Sequence, residues 1–178
     1  MVTLLCAHAA PAVAAAGALL RQYFLNHGQH PPSPAMTKAF LVNAARYLDG
    51  AGAGDTLPSP HQGMGELNLG MAFDGVPRIL RDQANVDKFT ASGQTRTFGG
   101  TIADSTKPFR VTIAWTDAPG SPAAAAALVN DLDLTVTVGG NRYKGNRFAG
   151  RSSIPGGSAD TQNNLESVFL PSGFSGNF

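Results

Sequence analysis

Apolar positions recur at helical spacing early in the chain and alternate in its second half. Val13, Ala16, Leu20 and Phe24 form one stripe, with Leu19 and Tyr23 beside it, which predicts a helix over residues 11–26. Pro11 suits that helix only near its start, where its missing N–H would have no partner anyway. Asn26-His27-Gly28 supplies the stop. Pro31-Pro32-Ser33-Pro34 reads as a rigid connector, with Ser33 as N-cap and Pro34 as first helical residue. The second helix is predicted to run to about Leu48, with Phe40, Leu41, Ala44, Ala45 and Leu48 on its apolar side. Residues 49–62 form a Gly/Pro/Ser loop.

After about Phe73 the period changes. Phe109, Val111, Ile113 and Trp115 point one way; Arg110, Thr112, Ala114 and Thr116 point the other. Leu132, Leu134, Val136 and Val138 alternate in the same way with Asp131, Asp133, Thr135 and Thr137. Gly139-Gly140-Asn141 is a tight-turn signal leading into a strand over 141–144. Residues 164–170 read as another strand, and residues 88–102 as two more. Short strands separated by Gly-rich turns predict an antiparallel sandwich. The alanine run at 123–127 is read as loop or a single helical turn.

Composition narrows the class. With 178 residues and 43% hydrophobic content, a packed core needs no disulfide, and the single cysteine, Cys6, has no internal partner. A net charge of +1, with Lys and Arg scattered, gives no footprint for nucleic acid or an anionic membrane. The apolar stretch from Val2 to Leu20 has no basic residue ahead of Arg21, so it reads as a buried helix, with a signal or membrane segment as the minor alternative. Only 14% of residues are charged, which with abundant Gly, Ser, Thr and Asn suits an exported protein.

Four segments, in order, resemble the C-terminal part of subtilisin-like serine proteases that carry a jelly-roll domain after the catalytic domain. Ala7-His8-Ala9-Ala10-Pro11, leading into Arg21-Gln22-Tyr23-Phe24, is similar to the helix that opens with Gly-Thr-Ser-Met/His-Ala-x-Pro. Ser33-Pro34-Ala35-Met36-Thr37-Lys38-Ala39-Phe40-Leu41 resembles the helix that follows it. Gln62-Gly63-Met64-Gly65-Glu66-Leu67-Asn68-Leu69 is similar to the family's Gln-Gly-Trp-Gly-x-Val-x-Leu, with methionine in place of tryptophan. Val111-Thr112-Ile113-Ala114-Trp115-Thr116-Asp117-Ala118-Pro119-Gly120, with Leu128-Val129-Asn130-Asp131-Leu132-Asp133-Leu134, looks like the start of the jelly roll.

The resemblance puts Ala7 at the nucleophile position, so no serine hydroxyl is available there. The family's Asp and His motifs and its oxyanion asparagine lie upstream of the nucleophile, and no segment here resembles them. Met1 to Cys6 do not match the family, and Pro171-Ser172-Gly173-Phe174 would lead into the last jelly-roll strands; the resemblance therefore implies a chain cut at both ends.

The remaining candidate chemistry is weighed residue by residue. Cys6, at a helix start, could be a reactive thiol; the alternative is a small buried one. His8 stands where the family packs Met or His, while His27, His30 and His61 show no zinc-like spacing. Calcium is the metal candidate, with Asp117, Asn130, Asp131 and Asp133 as ligands and Asp160, Asn163 and Asn164 in similar loop contexts. Asp131 and Asp133 would lie about 7 Å apart on one strand face, so both reach one ion only at a strand end. The alternative is an Asx turn at Asn130-Asp131 with a solvated Asp133.

The expected fold is α+β: a helical remnant of a subtilisin-like α/β catalytic domain over 1–75, then an incomplete jelly-roll sandwich over 76–178. The expected function is a fragment of a secreted serine endopeptidase, inactive alone. Its partners are a polypeptide substrate for the intact relative and the missing half of the catalytic domain, with no nucleic acid or membrane. The rival reading is a non-catalytic β-sandwich binding or adhesion module with a helical extension.

Overall fold

The computed structural model describes residues 6–124 and 128–178. Three α-helices precede seven short strands in antiparallel sheets, so the class is α+β. The helices are α1 (Cys6–Asn26), α2 (Pro34–Asn43) and α3 (Leu69–Ala72). The strands are β1 (Thr101–Ile102), β2 (Phe109–Ala114), β3 (Thr135–Val138), β4 (Asn141–Ala149), β5 (Ser152–Pro155), β6 (Leu165–Leu170) and β7 (Gly176–Asn177).

α1 starts five residues before the predicted position, so Pro11 lies inside it rather than at its first turn. Proline there leaves the carbonyl of residue 7 without its helical N–H partner. The buried stripe is Ala16, Leu20 and Phe24, as expected, but Val13 stays 52% exposed and residues 9–15 are all exposed. The expectation of a buried helix is therefore met on one face only. That face packs on Phe40 and Leu41 of α2, on Ala44 just past its end, and on Ala72 of α3. Phe24 and Phe40 meet edge to face at 5.7 Å, and Tyr23 stacks on Phe73 at 4.8 Å.

α2 begins as predicted: Ser33 Oγ accepts from the Met36 N–H at 3.0 Å, and Pro34 opens the helix. It ends at Asn43, short of the predicted Leu48. Arg46 instead pairs with Glu66 through main-chain bonds in both directions, at 2.8 and 2.7 Å. Gly65 makes that pairing possible. Its φ is +115°, and a Cβ there would sit 2.7 Å from the Arg46 carbonyl oxygen.

Two sheets share the larger strand core. β2 and β6 pair along their whole length, from Phe109 opposite Leu170 to Ala114 opposite Leu165. β3, β4 and β5 form the second sheet. Val136, Val138 and Tyr143 from it meet Val168 and Leu170 of β6, with Phe109 and Val111 of β2 alongside. β1 and β7 form a third, two-residue pairing. Among the described residues none of the sheets closes. Gly139 and Gly140, with φ of +57° and +78°, make the predicted turn between β3 and β4.

Two strand expectations need correction. Residues 88–102 yield only β1, because the Phe89 and Phe98 side chains are partly exposed beside Arg96 and Arg81 instead of alternating into a core. The strand expected over 132–138 pairs only from Thr135 onward, although Leu132 and Leu134 stay half-buried and Asp131 and Asp133 exposed. Of the alanine run, residues 125–127 lie outside the described residues, as do residues 1–5. Among the described residues no helix is long and apolar enough to cross a membrane.

Candidate functional site

The first three motif segments meet around α1 and α2, while the fourth lies in β2 and the loop that follows it. Ala7 falls in the first turn of α1. The side chains of Cys6, Ala7 and His8 lie outside the described residues, so the thiol and imidazole readings concern positions without a described environment. Beyond them, a shallow groove runs between α1 and α2, lined by Val13, Gly17, Pro34, Lys38, Leu41 and Val42. Gly17 faces Thr37 across this groove: a Cβ there would lie 3.7 Å from Thr37 Cγ2, an ordinary packing contact.

The third motif segment has a structural role on the page. Gln62 holds the loop before it: its Oε1 accepts from the Leu48 N–H at 2.8 Å, and its Nε2 donates to the Leu48 and Ala53 carbonyls. Asn68 caps α3 by accepting from the Met71 N–H at 3.1 Å. Met64 packs against the small cluster of Leu57, Phe148 and Phe169.

The four proposed calcium ligands fall in the loop that leaves β2. Asp117 accepts from the N–H groups of Ala118, Val129 and Asn130 and from Asn130 Nδ2, at 2.7–3.2 Å. Desolvation raises its pKa, those donors outweigh that effect, and the carboxyl ends below its ordinary range. Its oxygens are thus committed to fastening residues 129–130 onto the end of β2. Trp115 strengthens the same closure: its Nε1 donates to the Asn130 carbonyl at 2.9 Å. Asp131 and Asp133 are exposed. Among the described residues no group of three or more His, Cys, Asp or Glu is arranged to hold a metal ion.

Asp160 repeats the Asp117 pattern in a second loop. It accepts from Asn146 Nδ2, Asn163 Nδ2 and the N–H groups of Gln162 and Asn163. Burial raises its pKa, but the donors prevail and hold it low. Asn146 also donates to the Leu165 carbonyl and accepts from the Ser167 N–H, joining β4 to β6.

The pattern reading missed Glu166. It lies on the face of β6 that carries Val168 and Leu170 and is fully buried. Its Oε2 accepts from the Leu134 N–H, and its Oε1 has no partner among the described residues. Gly145 supplies the space, since a Cβ at that position would collide with the carboxylate. Burial pushes the carboxyl up to about 7; the Leu134 N–H pulls it down, and Asp133, Asp160 and Asp131 push it up further. A single glutamate at an inward position of an apolar strand was the available signal.

Asp55, Ser59 and His61 also meet. His61 Nδ1 and Asp55 Oδ2 are 2.9 Å apart. Ser59 Oγ, however, accepts from the N–H groups of His61 and Gln62 at 3.0 and 3.1 Å, and the His61 ring is bonded to Asp55. The trio builds a turn, and no imidazole–hydroxyl bond links it into a nucleophile relay. No protein-family model matches this chain, and no curated protein matches it either.

Proposed function

We propose that this chain is the C-terminal portion of a secreted subtilisin-like serine endopeptidase, comprising the last helices of the catalytic domain and a jelly-roll β-sandwich, and that alone it does not cleave peptides. The observation that carries this reading is α1. It is apolar nearly all round, it begins at the Ala7 motif, and only one stripe of it is covered. A helix apolar on every side belongs inside a larger body, which is where the resembled family keeps its nucleophile helix. The order α1, α2, Gln62 to Leu69 segment and antiparallel strands supports the same reading.

In an intact relative the helix would present a serine to the peptide carbonyl. Here Ala7 has no oxygen to form an acyl-enzyme, and no counterpart of the family's Asp, His and oxyanion asparagine motifs is found in the sequence. The same resemblance carries a structural calcium ion. Asp131 and Asp133, which are exposed, would have to supply its carboxylates, because Asp117 is already committed to N–H donors.

The test is direct. The purified chain and its Ala7→Ser variant are assayed on a chromogenic peptide and with a serine-directed fluorophosphonate. Neither turnover nor labelling is expected from either protein. Turnover with labelling of the unaltered chain would overturn the proposal.

A further inference from the structure

α2 meets β2 across the side of that strand that carries Arg110 and Thr112. Phe109 and Val111 enter the core shared with β3 and β4, while Arg110 and Thr112 turn toward α2. Side-chain hydrogen bonds tie the helix to the β2–β6 sheet. Lys38 Nζ donates to Asn164 Oδ1 at 2.7 Å, and Asn43 Nδ2 donates to Thr112 Oγ1 at 3.0 Å. Thr112 Oγ1 lies 3.1 Å from Ser167 Oγ on β6, which continues the connection.

Arg110 makes the tie at the helix end. The last carbonyls of a helix have no partner within it. The N–H groups of Ala44 and Ala45 turn back to Phe40 and Val42. Arg110 Nη1 then donates to the carbonyls of Asn43 and Ala45, at 2.9 and 2.8 Å. α2 has no basic residue in its own last turn, so this cation from the sheet also answers the helix dipole. The guanidinium lies 4.4 Å from the Phe169 ring centroid, which fixes its plane.

We propose that Arg110 is a positioning residue: through it the β2–β6 sheet sets where α2 ends, and through α2 it sets the seat of α1. The second step follows from the packing of Phe24 on Phe40 and of Gly17 beside Thr37. The inference rests on contacts within this chain and holds whether or not the peptidase-family proposal does.

Amide hydrogen exchange on the full chain tests it, comparing Arg110→Met and Arg110→Lys with the unaltered protein. Arg110→Met keeps an apolar stem over Phe169 and removes the donors. Exchange over residues 34–47 should rise about tenfold or more, while residues 135–155 keep their protection. Arg110→Lys retains charge and donors on a shorter reach and should show a smaller rise over the same segment. Unchanged protection over 34–47 in Arg110→Met would overturn the proposal, as would a loss shared equally with 135–155. Should Arg110→Met fail to fold, Arg110→Lys decides alone: a rise confined to 34–47 supports positioning, and an unaltered profile refutes it.

Discussion

α1 and β6 are opposites. α1 is built almost wholly from apolar residues, yet Val13 and Leu19 are each 52% exposed. β6 includes a glutamate and a serine, yet all six of its residues are buried, with Glu166 and Ser167 at 0%. The difference comes from neighbours. In β6, Val168 and Leu170 pack on Val136, Val138 and Tyr143, while Phe169 packs on Leu57 and Phe148 with Val42 of α2 alongside. α1 has α2 and α3 on one side and none of the described elements on the other. Burial is a property of the layer a residue joins, and composition alone mispredicts both elements.

The sharpest test of that contrast pairs two leucines of equal chemistry. Leu170→Ala in β6 should cost about 2–5 kcal/mol, because it leaves a cavity in a closed core. Leu19→Ala on the open side of α1 should stay within about 0.5 kcal/mol. Urea unfolding of both variants checks this, and equal losses would mean that the outer face of α1 is covered in solution.

Glu166 provides the next test. Its folded-state carboxyl is raised from 4.5 to about 7, so the fold retains a proton that the unfolded chain releases at lower pH. The stabilising effect of that proton is complete below about pH 4.5 and is lost as pH rises to about 7. Glu166→Gln abolishes this component. Its stability relative to the unaltered chain should rise across that window by an amount on the order of 2–3 kcal/mol. A pH-independent difference between the two proteins would show that Glu166 titrates in the fold as it does in the unfolded chain.

A smaller effect than at Glu166 is expected at the start of α2. Ser33→Ala removes the hydroxyl that accepts from the Met36 N–H and should cost about 1 kcal/mol, seen as a drop in Tm of about 2–4 °C. Loss of the Ser33 cap should leave the strands untouched, since its other bond, from its own N–H to Asp82, is made by the main chain.

Much of this fold was legible one segment at a time. The Ser33-Pro34 start, the Ala16, Leu20 and Phe24 stripe, the Gly139-Gly140 turn and the period-two pattern of β2 and β3 are local signals, and each appears where its chemistry predicts. The early end of α2 was not legible, because it depends on a pairing with Glu66 that closes over Gly65. What covers Arg110 and Thr112 was not legible for a similar reason: alternation states that two faces differ, not what covers the second one. At the candidate site, Asp117 and Asn130 were grouped by sequence as candidate metal ligands, and the structure joins them by hydrogen bonds: the Asp117 carboxylate accepts from the Asn130 N–H and Nδ2.

The sequence by itself determined the types of α1, α2, β2, β3 and β6, the cap at Ser33 and the turn at Gly139-Gly140, since all of these follow from interactions within a few residues. The tertiary structure decided which faces are covered, where α2 stops, and how Glu166 comes to be buried with one oxygen unpartnered among the described residues. Those outcomes depend on contacts between residues many positions apart, such as Arg110 with Asn43 and Glu166 with Leu134 and Gly145, and no local pattern encodes them.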